Sequence, residues 1–139
     1  MRALYSRLSV APLRALAGLA VLLCLLFPAT DASARDVSVQ EAAALLKSPP
    51  AGLIIIDVRT PGEFRQGHLP GAQNMDFFGG RFDLQLEAMP KDRPVLLYCR
   101  AGQRSAGAYE AMSKAGAAHI LHMSEGIEAW QKAGLPLEK

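Results

Sequence analysis

Cysteine is scarce: the 139-residue chain has two. One, Cys24, sits in an apolar stretch near the start, so a disulfide framework is excluded for whatever domain follows. Excess charge is also missing. The chain carries 15 basic and 13 acidic residues. Taking away Arg2, Arg7, Arg14 and Asp31, the charged residues of segment 1–34, leaves 12 of each sign in 35–139. A balanced domain of that kind argues against nucleic acid as a partner, which favours a clustered basic surface. No apolar run approaches the roughly 20 residues that span a bilayer. There is no internal repeat, no low-complexity tract in 35–139 and no Cys-x-x-Cys motif.

The first third has the order of parts of a secretory leader. A positive start (Arg2, Arg7, Arg14) precedes an uncharged apolar run from Leu16 to Phe27, a break at Pro28, and the small residues of Ala32-Ser33-Ala34. Residues 1–34 are therefore expected to be a signal peptide cleaved near Ala34, with a periplasmic or secreted product; an uncleaved N-terminal membrane anchor is the alternative. The bulky Leu23 before Cys24 argues against a lipoprotein site. Residues 35–139 suffice for one domain with one modest core, and Cys99 is its sole thiol. A lone thiol in an oxidising compartment must be buried or used.

Hydrophobic pattern and punctuation divide 35–139 into alternating elements. Residues 35–38 lead in, and a capping box at Ser38 and Glu41 starts a helix over 39–47. Leu53 to Val58 is a continuous apolar run apart from Asp57, as expected of a strand buried on both faces. Thr60-Pro61-Gly62-Glu63 repeats the capping box, with Pro at the first helical position, and predicts a short helix over 61–66. A turn at 69–72, a short strand over 72–75, a loop at 77–80 and a helix over 82–89 follow. Pro94 to Tyr98 predicts a second buried strand, and Arg104 to Lys114 a helix with Ala106, Tyr109 and Met112 inward. A strand over 120–123 and a helix over 127–132 complete the chain. Buried strands alternating with helices define an α/β fold with a mainly parallel sheet and helices on both faces.

Ligands of such folds bind beyond the carboxyl ends of the strands. Cys99 stands at that end of the 94–98 strand, followed by Arg100-Ala101-Gly102-Gln103-Arg104-Ser105 and a helix start. The first N–H groups of a helix lack internal partners and, with the helix dipole, stabilise an anion. A thiolate is such an anion, and the nucleophilic form of cysteine. Arg100 and Arg104 are candidate side-chain contacts for an anionic substrate. Ser105 is either a donor to the sulfur or a residue of the helix's first turn. No histidine follows the loop closely, so the sequence shows no local acid–base partner. Asp57 and Arg59 are expected to form an internal ion pair or backbone clamp, and His68 to fix its turn by a hydrogen bond. Tyr98 and Trp130 are expected in the core. His119 and His122, three apart on a strand, would face opposite ways, so no metal site is expected.

The run Asp57-Val58-Arg59-Thr60-Pro61-Gly62-Glu63-Phe64-Arg65-Gln66-Gly67-His68-Leu69-Pro70-Gly71-Ala72-Gln73-Asn74, the Cys99 loop and the ending Gly126-Ile127-Glu128-Ala129-Trp130 together resemble the single-domain rhodaneses, a sulfurtransferase family, across nearly all of 37–138. The plan is most similar to the periplasmic thiosulfate type. The resemblance implies a rhodanese-like fold and a ping-pong transfer through a Cys99 persulfide. The donor would be a compound such as thiosulfate, the acceptor cyanide or a thiol. Residues Arg100 to Ser105 would bind substrate, Asp57 and Arg59 would give structural support, and no metal or cofactor would be needed. A monomer is expected. Cysteine phosphatases of this fold keep five residues between Cys and Arg; here there are four, which matches the sulfurtransferase branch. A sulfur carrier fed by a partner protein, with little turnover of its own, is the other reading.

Overall fold

The computed structural model describes residues 34–139; the leader expected in 1–34 therefore lies, but for Ala34, outside the described residues. Five parallel strands form one sheet: β1 (Arg35–Asp36), β2 (Ile54–Asp57), β3 (Gln73–Asn74), β4 (Val95–Tyr98) and β5 (Ile120–His122), in the order β1-β5-β4-β2-β3. Five helices connect or follow them: α1 (Val39–Lys47), α2 (Pro61–Gln66), α3 (Phe82–Ala88), α4 (Gln103–Lys114) and α5 (Gly126–Lys132). The architecture expected from the sequence is present. One element differs: residues 35–36, read as a lead-in, form the edge strand β1 beside β5. Two residues are too few to leave a period-2 pattern, and the partner strand is 86 positions away.

The two-residue period of the strands sorts the core into two faces. Val95, Leu97 and Cys99 join Ile54 and Ile56 on the face covered by α3 and α4, through Phe82, Leu86, Ala108 and Met112. Leu96 and Tyr98 point the other way, into Val39 and Ala42 of α1 and Ile127 and Trp130 of α5. The central strand β4 is buried throughout because both its faces are covered. Both capping boxes form: Ser38 with Glu41, and Thr60 with Glu63. Helix α4 corrects one expectation. Its inward side is Ser105, Ala108 and Met112, while Ala106 is exposed. A small alanine fits either side of a helix, so its hydropathy did not fix the rotation.

Candidate active site

Strand β4 delivers Cys99 to the carboxyl edge of the sheet, where the chain turns sharply into α4. The turn needs Gly102 at φ +95°, and a Cβ there would stand 2.3 Å from the Ser124 carbonyl oxygen. Only a residue without a Cβ adopts this conformation in that space. The turn aims loop N–H groups inward. The Gly102 N–H donates to Cys99 Sγ at 3.1 Å, and the N–H groups of Ala101 and Ser105 also act on the sulfur. The start of α5 holds the loop from behind. Its Ile127 and Glu128 N–H groups donate to the carbonyl oxygens of Cys99 (2.9 Å) and Arg100 (3.2 Å). One helix N-terminus thus binds the loop's carbonyls while the other faces the sulfur. Peptide planes fixed in this way present their N–H groups to one point.

Cys99 is 1% exposed. Burial pushes the thiol pKa up, as for any buried acid. The hydrogen bonds from the Ser105 hydroxyl and from the N–H groups of Ser105, Ala101 and Gly102 outweigh it, and the net shift is downward from the ordinary thiol value. Those donors favour the thiolate, which is the reactive form.

Both arginines proposed for substrate are engaged with carboxylates. Arg104 forms a bidentate pair with Glu63 of α2, at 2.7 and 2.8 Å. The Glu63 carboxyl is drawn down to about 2, first by Arg104 and, against the cost of burial, by the Thr60 cap. Arg100 is mostly exposed and bonds Glu128 of α5 through Nε at 2.5 Å. In this arrangement they lace the Cys99 loop to α2 and α5. Ala101 and Gln103 are exposed on the loop's outer side.

Asp57 and Arg59 form a buried pair. Arg59 donates from Nε to both carboxylate oxygens, from Nη2 to Oδ2 at 2.6 Å, and from Nη2 to the Gly67 carbonyl at 2.7 Å. Asn74 donates to the carbonyls of Asp57 and Arg59. The pair joins β2, β3 and the turn after α2 and does not reach the sulfur. His68 lies stacked on Phe64, its Nδ1 3.0 Å from the Phe64 carbonyl. Tyr98 and Trp130 are buried, and the Tyr98 hydroxyl accepts the Leu69 N–H at 3.0 Å. Only His122 of the histidine pair lies in β5; His119 precedes it.

Ser105 fills both of its expected alternatives: it lies in the first turn of α4 and places its Oγ 3.3 Å from Cys99 Sγ. Two further features were not foreseen in the sequence. A histidine does reach this serine: His122 Nε2 is 2.8 Å from Ser105 Oγ, contributed by β5 and not by the loop. Gly126 (φ +70°) passes so close behind the loop that a Cβ would lie 2.1 Å from the Arg100 carbonyl oxygen. No local spacing announces these contacts, because they join adjacent strands and the starts of two different helices.

A buried cysteine under backbone N–H groups, at the carboxyl edge of a parallel five-stranded sheet, defines an α/β protein built to stabilise a sulfur anion. The family of the Rhodanese-like domain matches residues 38–133, and the chain belongs to that family. A sulfurtransferase of Allochromatium vinosum is 35% identical over 85 residues, covering 61% of this chain and 78% of its own. The thiosulfate sulfurtransferase GlpE of Vibrio cholerae is 31% identical over 103 residues, covering 73% of this chain and 92% of its own. Among solved structures, a rhodanese-related protein from Thermoplasma volcanium superposes with a TM-score of 0.65 at 24% identity, over 75% of this chain and 97% of its own.

Proposed function

We propose that the protein is a thiosulfate sulfurtransferase working through Cys99. The observation that carries the reading is the convergence of the Gly102 N–H, at 3.1 Å, and the Ser105 hydroxyl, at 3.3 Å, on a sulfur that is almost wholly buried. A sulfur so enclosed suits a donor that offers a single projecting atom. The outer sulfur of thiosulfate is such an atom. The Cys99 thiolate attacks it, the sulfur–sulfur bond of thiosulfate breaks, and the electron pair leaves with sulfite. The terminal sulfur of the resulting persulfide carries the negative charge, beside the same donors. Cyanide or an acceptor thiolate then attacks that sulfur and regenerates the Cys99 thiolate, which makes the reaction a ping-pong exchange. The similarity to a curated thiosulfate sulfurtransferase supports the choice of donor.

The full-length chain is expected to form thiocyanate from thiosulfate and cyanide, and Cys99→Ser to form none. Full activity in Cys99→Ser would sink the assignment. A wild-type protein that carries a persulfide when taken from cells, yet does not turn over thiosulfate, would replace it with the carrier reading. The leader pattern of 1–34 supports export, and N-terminal sequencing of protein from a periplasmic fraction is expected to begin Arg35-Asp36-Val37.

A further inference from the structure

Behind Cys99, a continuous chain of polar contacts runs to the edge of the sheet. Ser105 Oγ lies 3.3 Å from Cys99 Sγ, His122 Nε2 lies 2.8 Å from Ser105 Oγ, and Asp36 Oδ1 lies 2.8 Å from His122 Nδ1. Asp36 and His122 are register partners of the parallel pair β1–β5, so their side chains leave the same face. Leu97 of β4 is the register partner of His122 and shares the face of Cys99. The sheet itself therefore aligns the chain. Ser105 and His122 are buried, whereas the Asp36 side chain is 71% exposed.

We propose that His122, held by Asp36 and acting through Ser105, is the proton acceptor that turns the Cys99 thiol into the nucleophilic thiolate. The hydrogen-bond inventory sets the direction. The Asp36 carboxylate only accepts, so Nδ1 of a neutral His122 carries the proton and Nε2 offers its lone pair to Ser105. The Gly102 carbonyl, 3.1 Å from Ser105 Oγ, is the competing acceptor for the hydroxyl proton, and Nε2 is nearer. With that proton directed at Nε2, a lone pair of Ser105 Oγ faces the Cys99 S–H.

On ionisation the thiol proton passes to Ser105 Oγ as the serine's own proton passes to Nε2. The products are a Cys99 thiolate, an intact serine hydroxyl and a His122 imidazolium, with no change in total charge. Every new charge has a partner. The imidazolium lies between Asp36 and Ser105, and the thiolate accepts from Ser105 and the loop N–H groups. Other titratable groups near the chain include Arg35, whose Nη1 donates to the Asp36 carbonyl at 3.3 Å, Tyr109 of α4, whose ring is 5.8 Å from that of His122, and Arg104, which interacts electrostatically with Cys99. Ser105 touches the sulfur and takes the thiol proton directly, whereas His122 and Asp36 act on the sulfur only through it.

The proposal rests on Cys99 being the nucleophile, and its test needs no sulfur transfer. Iodoacetamide alkylation of the full-length protein is followed against pH on the Cys99 peptide by mass spectrometry. Ser105→Ala and His122→Asn are each expected to move the midpoint up by about one unit, a tenfold loss of thiolate below it. The double variant is expected to move it no further, since both changes cut one chain. Asp36→Asn is expected to move it in the same direction by less. Should His122→Asn fail to fold, Asp36→Asn decides, because its site is exposed. A reactive Cys99 whose midpoint stays at the wild-type value in the folded His122 or Asp36 variant refutes the relay alone. A wild-type Cys99 that resists alkylation up to about pH 10 refutes the nucleophile reading, and the relay with it.

Discussion

Gly126→Ala is the sharpest probe of how the loop is held. Its Cβ would stand 2.1 Å from the Arg100 carbonyl oxygen, 2.4 Å from the Arg100 carbonyl carbon and 2.8 Å from the Ala101 nitrogen. All three are backbone atoms, so no flexible side chain can yield. Restoring ordinary contact requires the loop to retreat by about 1 Å, and a misplacement of that size near reacting atoms costs on the order of 100-fold in rate. The expected result is a fall in kcat/KM for thiosulfate of about 100-fold, or about 2.7 kcal/mol of transition-state stabilisation. Backbone strain adds a separate stability cost of about 1–2 kcal/mol for alanine at positive φ. Gly134→Ala isolates that second effect. Its φ is +69°, against +70° at Gly126, and a Cβ there meets nothing within 4 Å. Both variants should lose stability in thermal melts, but only Gly126→Ala should lose thiocyanate production. Turnover in Gly126→Ala within about twofold of wild type would refute the claim that the α5 start fixes the loop.

Other expectations concern the groups around the loop. Arg59→Met leaves the Asp57 carboxylate buried without its counter-ion, a loss of about 3–5 kcal/mol; at about 5 °C per kcal/mol the midpoint of thermal unfolding should fall on the order of 15–25 °C, and a fall below about 5 °C would contradict the pairing. Glu63 has its carboxyl lowered to about 2 in the folded protein. Its stabilisation is therefore fully present above the ordinary carboxylate range near pH 4.5 and is lost as pH falls from there towards 2. Urea unfolding at pH 6 and pH 3 should show a smaller acid-induced loss in Glu63→Gln than in wild type, and equal losses would rule out Glu63 as a source of acid sensitivity.

Much of the fold was legible because its elements announce themselves locally. The helix over 61–66 was readable to the residue, since Thr60, Pro61 and Glu63 set its start by short-range hydrogen bonding. Strand β4 was readable because burial on both faces demands an unbroken apolar run. The edge strand β1 was not, for two residues carry no pattern and only pairing with β5 makes them a strand. Arg100 and Arg104 show the converse. Their place on the loop was plain from the sequence, but Glu128 and Glu63, the carboxylates that engage them, come from two other helices.

By itself, the sequence determined that Cys99 sits at a strand's carboxyl end, before a glycine-bearing turn and a helix whose first N–H groups need an acceptor. Periodicity and capping are short-range, and they sufficed for that. Only the tertiary structure decided how Cys99 is held and what removes its proton. The α5 start grips the loop from behind, and Ser105, His122 and Asp36 line up across α4, β5 and β1. Such contacts depend on sheet order and register, which no window of neighbouring residues encodes.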